Sequence, residues 1–253
     1  MTLGGAGRLK RYDGGATPAR YRSPSLRPAP LERPAMSAVL KPRADFDLQA
    51  YLDWEAVQPE RHEYIAGEVF AMTAARGTHN LIAGNVYMAL RQHLRGSPCR
   101  THIEGMKLQV QAADAVFYPD VFVTCDPQDL GEQAELAKSA PKLVVEVLSE
   151  STAAFDRGLK FELYQHLPSL QEYLLIEQDR VHADLFRRNA EGLWVLHPSG
   201  PGGVVRLDSV GLVLSMDAIY EDTVPAAPTV PPPQSCRPNL PRRLPSPEQP
   251  VSG

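Results

Sequence analysis

Residues 141–152 read PKLVVEVLSEST, and the centre of this stretch governs how the rest of the chain is read. The short apolar run KLVVEVL at 142–148 predicts a strand covered on both faces. Glu146 stands in the middle of it, where the pattern demands burial. An ionised carboxylate alone in such a place is very costly. Three compensations exist: a cationic partner, a raised pKa or a bound metal ion.

Upstream, FYPDVFV at 117–123 poses the same question at Asp120, in a second mostly apolar strand expected over 117–124. Two such carboxylates on adjacent strands can share one hard divalent cation, which prefers carboxylate, carbonyl and water oxygens. A buried ion pair with an arginine, or an Asp at a strand end facing solvent, would explain them equally. Downstream, Leu159, Leu163 and Leu167 give helical spacing, predicting a helix over 156–166. Lys160 and Tyr164, four apart, share one face of it. Asp156 lies four before Lys160, so an exposed ion pair is the simplest reading. If Lys160 points inward, it could steady a phosphate or help activate water. Glu63 and Glu68 lie in a predicted hairpin, where one could complete a metal shell, although most strand glutamates are solvated. His79, at a helix start, could donate to a phosphate or sit exposed.

The remaining elements follow from periodicity and turn chemistry. A short helix is expected over 46–57, and a hairpin over 63–65 and 68–72 around Ala66-Gly67. A helix capped by Thr78 carries Ile82, Val86, Leu90 and Leu94 and ends near Gly96. Strands are expected over 100–104, 107–111, 172–177, 182–188 and 193–198, and residues 126–139 read as a polar surface loop. Helix, meander, buried strand, helix and strand make an α/β layered domain over 44–223. Residues 1–43 and 224–253 are rich in proline and lack apolar periodicity, which predicts disordered tails. Met36 would serve as a natural start.

Composition limits the function classes. Three scattered cysteines, Cys99, Cys125 and Cys236, offer neither a disulfide framework nor metal spacing, which predicts a reducing, cytoplasmic setting. No apolar run is long enough to cross a membrane. The histidines form no HExxH cluster, and neither G-x-S-x-G nor a Walker loop is present. Residues 44–223 hold fourteen Lys and Arg against twenty-seven Asp and Glu, about −13 in all. Proteins that gain affinity by neutralising phosphates normally show a basic footprint, so a local basic surface or a bridging metal would be needed to hold nucleic acid.

The stretches RHEYIAGEVFAM with His79 shortly after, YPDVFV, PKLVVEVLSEST and DRGLKFELYQHLPSLQEYLLIE resemble, in order, the bacterial Uma family of restriction-type endonucleases in the PD-(D/E)XK superfamily. The resemblance spans residues 54–188. It implies a restriction-endonuclease-like core, a mixed β-sheet flanked by helices. It also implies Asp120 and Glu146 as the signature acids, a magnesium or manganese ion on both with the Val147 carbonyl, and nucleic acid, DNA above all, as substrate. The signature lysine should stand two after the glutamate, but Leu148 is there, and Lys160 becomes the replacement. Glu63 resembles an accessory acid; His79 matches a recurrent family histidine, and Tyr164 joins them as accessory. Cutting both strands calls for two active sites and so is compatible with a homodimer. A non-catalytic binding or regulatory module that retains the fold is the alternative.

Overall fold

The computed structural model describes residues 46–72 and 76–223; the predicted tails lie outside them. The first half of the chain forms α1 (Leu48–Glu55), β1 (His62–Ile65), β2 (Glu68–Ala71), α2 (Gly77–His93), β3 (Arg100–Ile103), β4 (Lys107–Val110), β5 (Ala115–Phe117) and β6 (Val121–Thr124). Then come α3 (Pro127–Leu130), β7 (Ala137–Lys138), β8 (Pro141–Leu148), α4 (Ala153–Arg157), α5 (Leu159–Tyr164) and β9 (Glu172–Glu177). The last elements are β10 (Ala183–Arg188), β11 (Trp194–Ser199), β12 (Val204–Leu207), β13 (Leu212–Ser215) and α6 (Met216–Ile219).

The mixed α/β architecture is organised around β8. It sits inside a six-stranded sheet of order β11-β10-β9-β8-β6-β3, antiparallel to β6 and parallel to β9. A second, five-stranded sheet has the order β2-β1-β5-β4-β7, and β12 and β13 form a ribbon of their own. Because side chains alternate along a strand, β8 sends Leu143, Val145 and Val147 to one face and Val144, Glu146 and Leu148 to the other. The first set packs with Ile82, Val86 and Leu90 of α2. Val144 and Leu148 instead join Phe155 of α4, Phe161 and Tyr164 of α5, and Leu108 and Phe117 of the second sheet. That parity aims Glu146 at α5. A third cluster, Tyr51, Tyr64, Val69 and Val116, fastens α1 to the outer face of the smaller sheet.

Several expectations need correction. The strand predicted over 117–124 is two strands in different sheets, β5 and β6, and Asp120 lies in the crossing between them. Pro119 has no N–H to give a ladder, and this is where the pairing stops. The helix predicted over 156–166 is broken at Gly158 (φ −109°, ψ −104°), where a Cβ would stand 3.0 Å from the Ala154 carbonyl oxygen. The loop predicted over 126–139 contains α3, a 3-10 turn and β7. It is held by Asp129, whose buried carboxylate accepts from the Thr124 hydroxyl and the N–H groups of Ser139 and Ala140. Arg76, not Thr78, is the N-cap of α2, and it makes no side-chain cap hydrogen bond.

The cysteine reading is also corrected. Cys99 and Cys125 form a disulfide with Cα atoms 4.0 Å apart. They flank the paired residues Arg100 and Thr124 of antiparallel β3 and β6, so register brings together cysteines 26 positions apart in sequence. A reducing compartment therefore does not follow from the cysteine count. No described helix is long and apolar enough to cross a membrane.

Candidate active site

The site forms where β6 and β8 part. Their ladder ends at Val121 opposite Val145, and beyond it the Asp120 side chain takes over the bonding. Asp120 Oδ2 accepts the Val147 N–H at 2.7 Å, and the Asp120 N–H faces Glu146 Oε2 at 3.4 Å. The two carboxylates are thus held side by side, Asp120 by the N–H of the residue after Glu146 and Glu146 by the N–H of Asp120. Asp120 Oδ2 also lies 3.3 Å from His79 Nε2 in the first turn of α2. Asp120 Oδ1 makes no hydrogen bond among the described residues. With its side chain 16% exposed against 4% for Glu146, Asp120 stands at the mouth of the cluster.

Behind it, three acids converge on Lys160. Its Nζ is 3.0 Å from Glu63 Oε1, 3.0 Å from Glu146 Oε1 and 3.5 Å from Asp156 Oδ1, and all four residues are buried. The exposed Asp156–Lys160 pair is therefore corrected to a buried one, and Lys160 points inward. The Tyr164 hydroxyl donates to Glu146 Oε1 at 3.0 Å, and the Phe117 ring lies 5.4 Å from the ammonium. The two-residue alternation of β1 explains Glu63. Tyr64 stacks on Tyr51 of α1, with ring centroids 5.0 Å apart, leaving Glu63 on the opposite face towards α5. That strand is pinned by buried Glu55, which accepts from the His62 N–H at 2.9 Å and the Tyr118 hydroxyl at 2.7 Å.

Charge in the cluster is unbalanced. Burial foremost, and the neighbouring Asp120, Asp156 and Glu63, push the Glu146 carboxyl well above its ordinary range despite the pull of Lys160. Burial also raises Asp156, again against Lys160. Burial by itself would lower Lys160, but Glu146, Glu63 and Asp156 outweigh it and hold the ammonium well above its usual range, so it is charged at neutral pH. Burial likewise lowers His79, while its hydrogen bond to Asp120, the charges of Asp120 and Glu104 and the nearby Val147 carbonyl bring the net shift upward. Four acids thus face one lysine and one histidine. The excess is relieved by a proton held among the acids or by a further cation.

Of the residues singled out from the sequence, the structure brings together Glu63, His79, Asp120, Glu146, Val147, Lys160 and Tyr164. Glu68, on β2, makes none of the contacts described for this cluster. Asp156, expected as a surface partner, joins the cluster, and its spacing of four from Lys160 is the local signal for it. Glu55 and Tyr118 were missed, because their pairing joins residues 63 positions apart.

The mixed sheet flanked by helices is that of a restriction-endonuclease-like core. The family model Uma2, described as "Putative restriction endonuclease", matches residues 48–217, and the chain belongs to this family. An uncharacterized protein of Synechocystis sp., slr1290, is 39% identical over 172 residues, covering 68% of this chain and 90% of its own length. A second from the same organism, sll1609, is 32% identical over 146 residues, covering 58% and 82%. Among solved structures, a "putative nuclease belonging to DUF820" from Anabaena variabilis shares the fold with a TM-score of 0.54. It is 21% identical and covers 67% of this chain and 96% of its own.

Proposed function

We propose that this protein is a magnesium- or manganese-dependent endonuclease that hydrolyses phosphodiester bonds of DNA. The observation that carries this reading is the buried excess of carboxylate around Lys160, opening to solvent at Asp120. The donor set fits a hard cation: carboxylate oxygens of Asp120 and Glu146 and the Val147 carbonyl, with no thiolate and no imidazole needed. Among the described residues no three His, Cys, Asp or Glu side chains form a ready cage. Magnesium suits such a site, since it keeps several waters and takes one or two protein carboxylates. Bound there, it would polarise a phosphoryl oxygen and lower the pKa of water.

The chain's own groups divide the remaining work. Val147 N–H and His79 hold Asp120 by one oxygen and leave Oδ1 directed elsewhere. Tyr164 and Lys160 share Glu146 Oε1 and fix its rotamer, leaving Oε2 towards Asp120. Lys160, held protonated by its acids, orients the phosphate or the attacking water by charge instead of accepting a proton. Glu63 and Asp156 keep that ammonium in place. Cleavage of both strands of a duplex calls for two such sites, which a homodimer would supply.

The test is cleavage of mixed DNA and RNA substrates with magnesium, manganese or EDTA. Metal-dependent cutting is expected, lost in Asp120→Ala. Calorimetry should show magnesium binding abolished in the Asp120→Ala, Glu146→Ala double variant; undiminished binding would sink the metal assignment. Magnesium binding without cleavage of any substrate would instead favour a regulatory module. Lys160→Arg keeps charge but not geometry, so substantial activity in it would favour phosphate positioning.

A further inference from the structure

A carboxylate cluster in a domain of net charge about −13 over residues 44–223 does not attract a polyanion unaided. Two cations beside the site have no acidic partner among the described residues. Arg61 directly precedes β1, two positions before Glu63, and Lys107 opens β4. Both lie over the ring of Tyr118, with Arg61 Cζ 6.0 Å and Lys107 Nζ 5.6 Å from its centroid. That ring is fixed by the Tyr118 hydroxyl bond to Glu55 and stands two residues before Asp120. Neither cation makes an ion pair or side-chain hydrogen bond among the described residues, whereas Arg157, Lys160 and Arg187 are each held by two or more acids. Glu104, three residues before Lys107, is turned instead to Asn80, its Oε1 accepting at 3.3 Å.

The backbone makes room for this pair. Glu104 and Gly105 turn with φ of 30° and 72°, and a Cβ on Gly105 would come within 2.8 Å of the Arg61 guanidinium. Only glycine both accepts that φ readily and lets the guanidinium lie against the turn. The same turn is tied to the site, because the Glu104 N–H donates to the Asp120 carbonyl at 3.1 Å. Arg61 is exposed and Lys107 half-buried, so both heads remain available to a ligand while the aromatic face restrains them.

We infer that Arg61 and Lys107 form a clamp for a backbone phosphate of the substrate strand, flanking the phosphate attacked at Asp120. This rests on the nuclease reading above and adds to it the surface that holds the strand. The guanidinium suits two-pronged recognition of phosphate oxygens and the ammonium supplies a point charge. The ligand chemistry is the phosphodiester backbone common to DNA and RNA.

Fluorescence anisotropy across a KCl series tests it, using a short labelled DNA duplex of mixed sequence, its single strand and the matching RNA, with calcium replacing magnesium to hold back hydrolysis. Arg61→Ala and Lys107→Ala should each weaken binding and lower the slope of log Kd against log salt by about 0.9 on duplex or about 0.7 on single strands. The double variant should lower it about twice as much, and Arg61→Lys should retain the parental slope. Whichever probe responds identifies the polymer. Arg95→Ala is the control, since Arg95 lies beyond the far end of the seventeen-residue α2, ~25 Å from its start. Parental slopes in both alanine variants, or an equal loss in Arg95→Ala, overturn the clamp while parental cleavage upholds the nuclease. A parent that neither binds nor cuts any probe overturns both.

Discussion

Two buried glutamates on neighbouring parallel strands have opposite surroundings. Glu172 opens β9 and is wholly buried, yet every demand it makes is met. Its Oε1 takes Arg187 Nε at 2.7 Å and the Asp208 N–H at 3.1 Å, and its Oε2 takes the Ser209 N–H at 3.0 Å. Arg187 also pairs with Asp208 at 2.8 Å and donates to the Arg206 carbonyl. Glu146, on β8, shares its lysine with two other acids and has Asp120 beside it. Burial of a carboxylate therefore does not mark a reactive site. What separates the two is whether local donors balance the charge: Glu172 pins the β12–β13 turn to the main sheet, and Glu146 is left in excess.

The largest effect expected from this contrast is on folding. Glu172→Ala leaves Arg187 Nε and two N–H groups without their acceptor, although Arg187 keeps Asp208, and each donor left unsatisfied costs about 1–3 kcal/mol. At roughly 2–4 °C per kcal/mol for a domain of this size, thermal melting should fall by about 10 °C or more. Magnesium should still raise the melting temperature of this variant. A folded Glu172→Ala protein of parental stability, or one that has lost the response to magnesium, would break the comparison.

A smaller change of the other sign is expected at Glu146. Its folded pKa is raised, so above the ordinary value of 4.5 the native state keeps a proton that the unfolded chain has released. Stability of the metal-free protein must then fall as pH rises from about 4.5 towards neutral. Glu146→Gln should make that fall shallower and leave the protein in EDTA as stable as the parent or more so, while removing the stabilisation by magnesium. Urea denaturation between pH 4.5 and 8, with and without the metal, reads all three. An unchanged pH slope would mean that the excess charge lies elsewhere.

Tyr164→Phe sharpens the contrast most finely, removing a single hydrogen bond to Glu146 and nothing of the surrounding packing. A loss of about 1 kcal/mol in EDTA is expected, together with weaker magnesium binding because Glu146 Oε1 is less well held. Equal magnesium affinity in the two proteins would show that Lys160 alone orients the carboxylate.

What could be read from the chain alone was whatever depends on neighbours within a few residues. The apolar run at 142–148 announced a strand buried on both faces, and the unexpected acid inside it announced Glu146. Periodicity also found α1, the β1–β2 hairpin, α2 and β9 to β11, because each buries one face at a spacing set by its own backbone. Lys160 and Tyr164 could be placed on one helix face, but an Asp156 partner four residues away was compatible with either solvent or the interior. Tertiary structure decided that choice, since only the packing of α5 against β8 and β1 brings Glu146 and Glu63 to the same ammonium. The same limit explains the errors elsewhere. The change of sheet at Pro119, the disulfide between Cys99 and Cys125, and Glu55 beneath Tyr118 all depend on which strands lie side by side. Register is fixed by long-range pairing and burial, and no local pattern carries it.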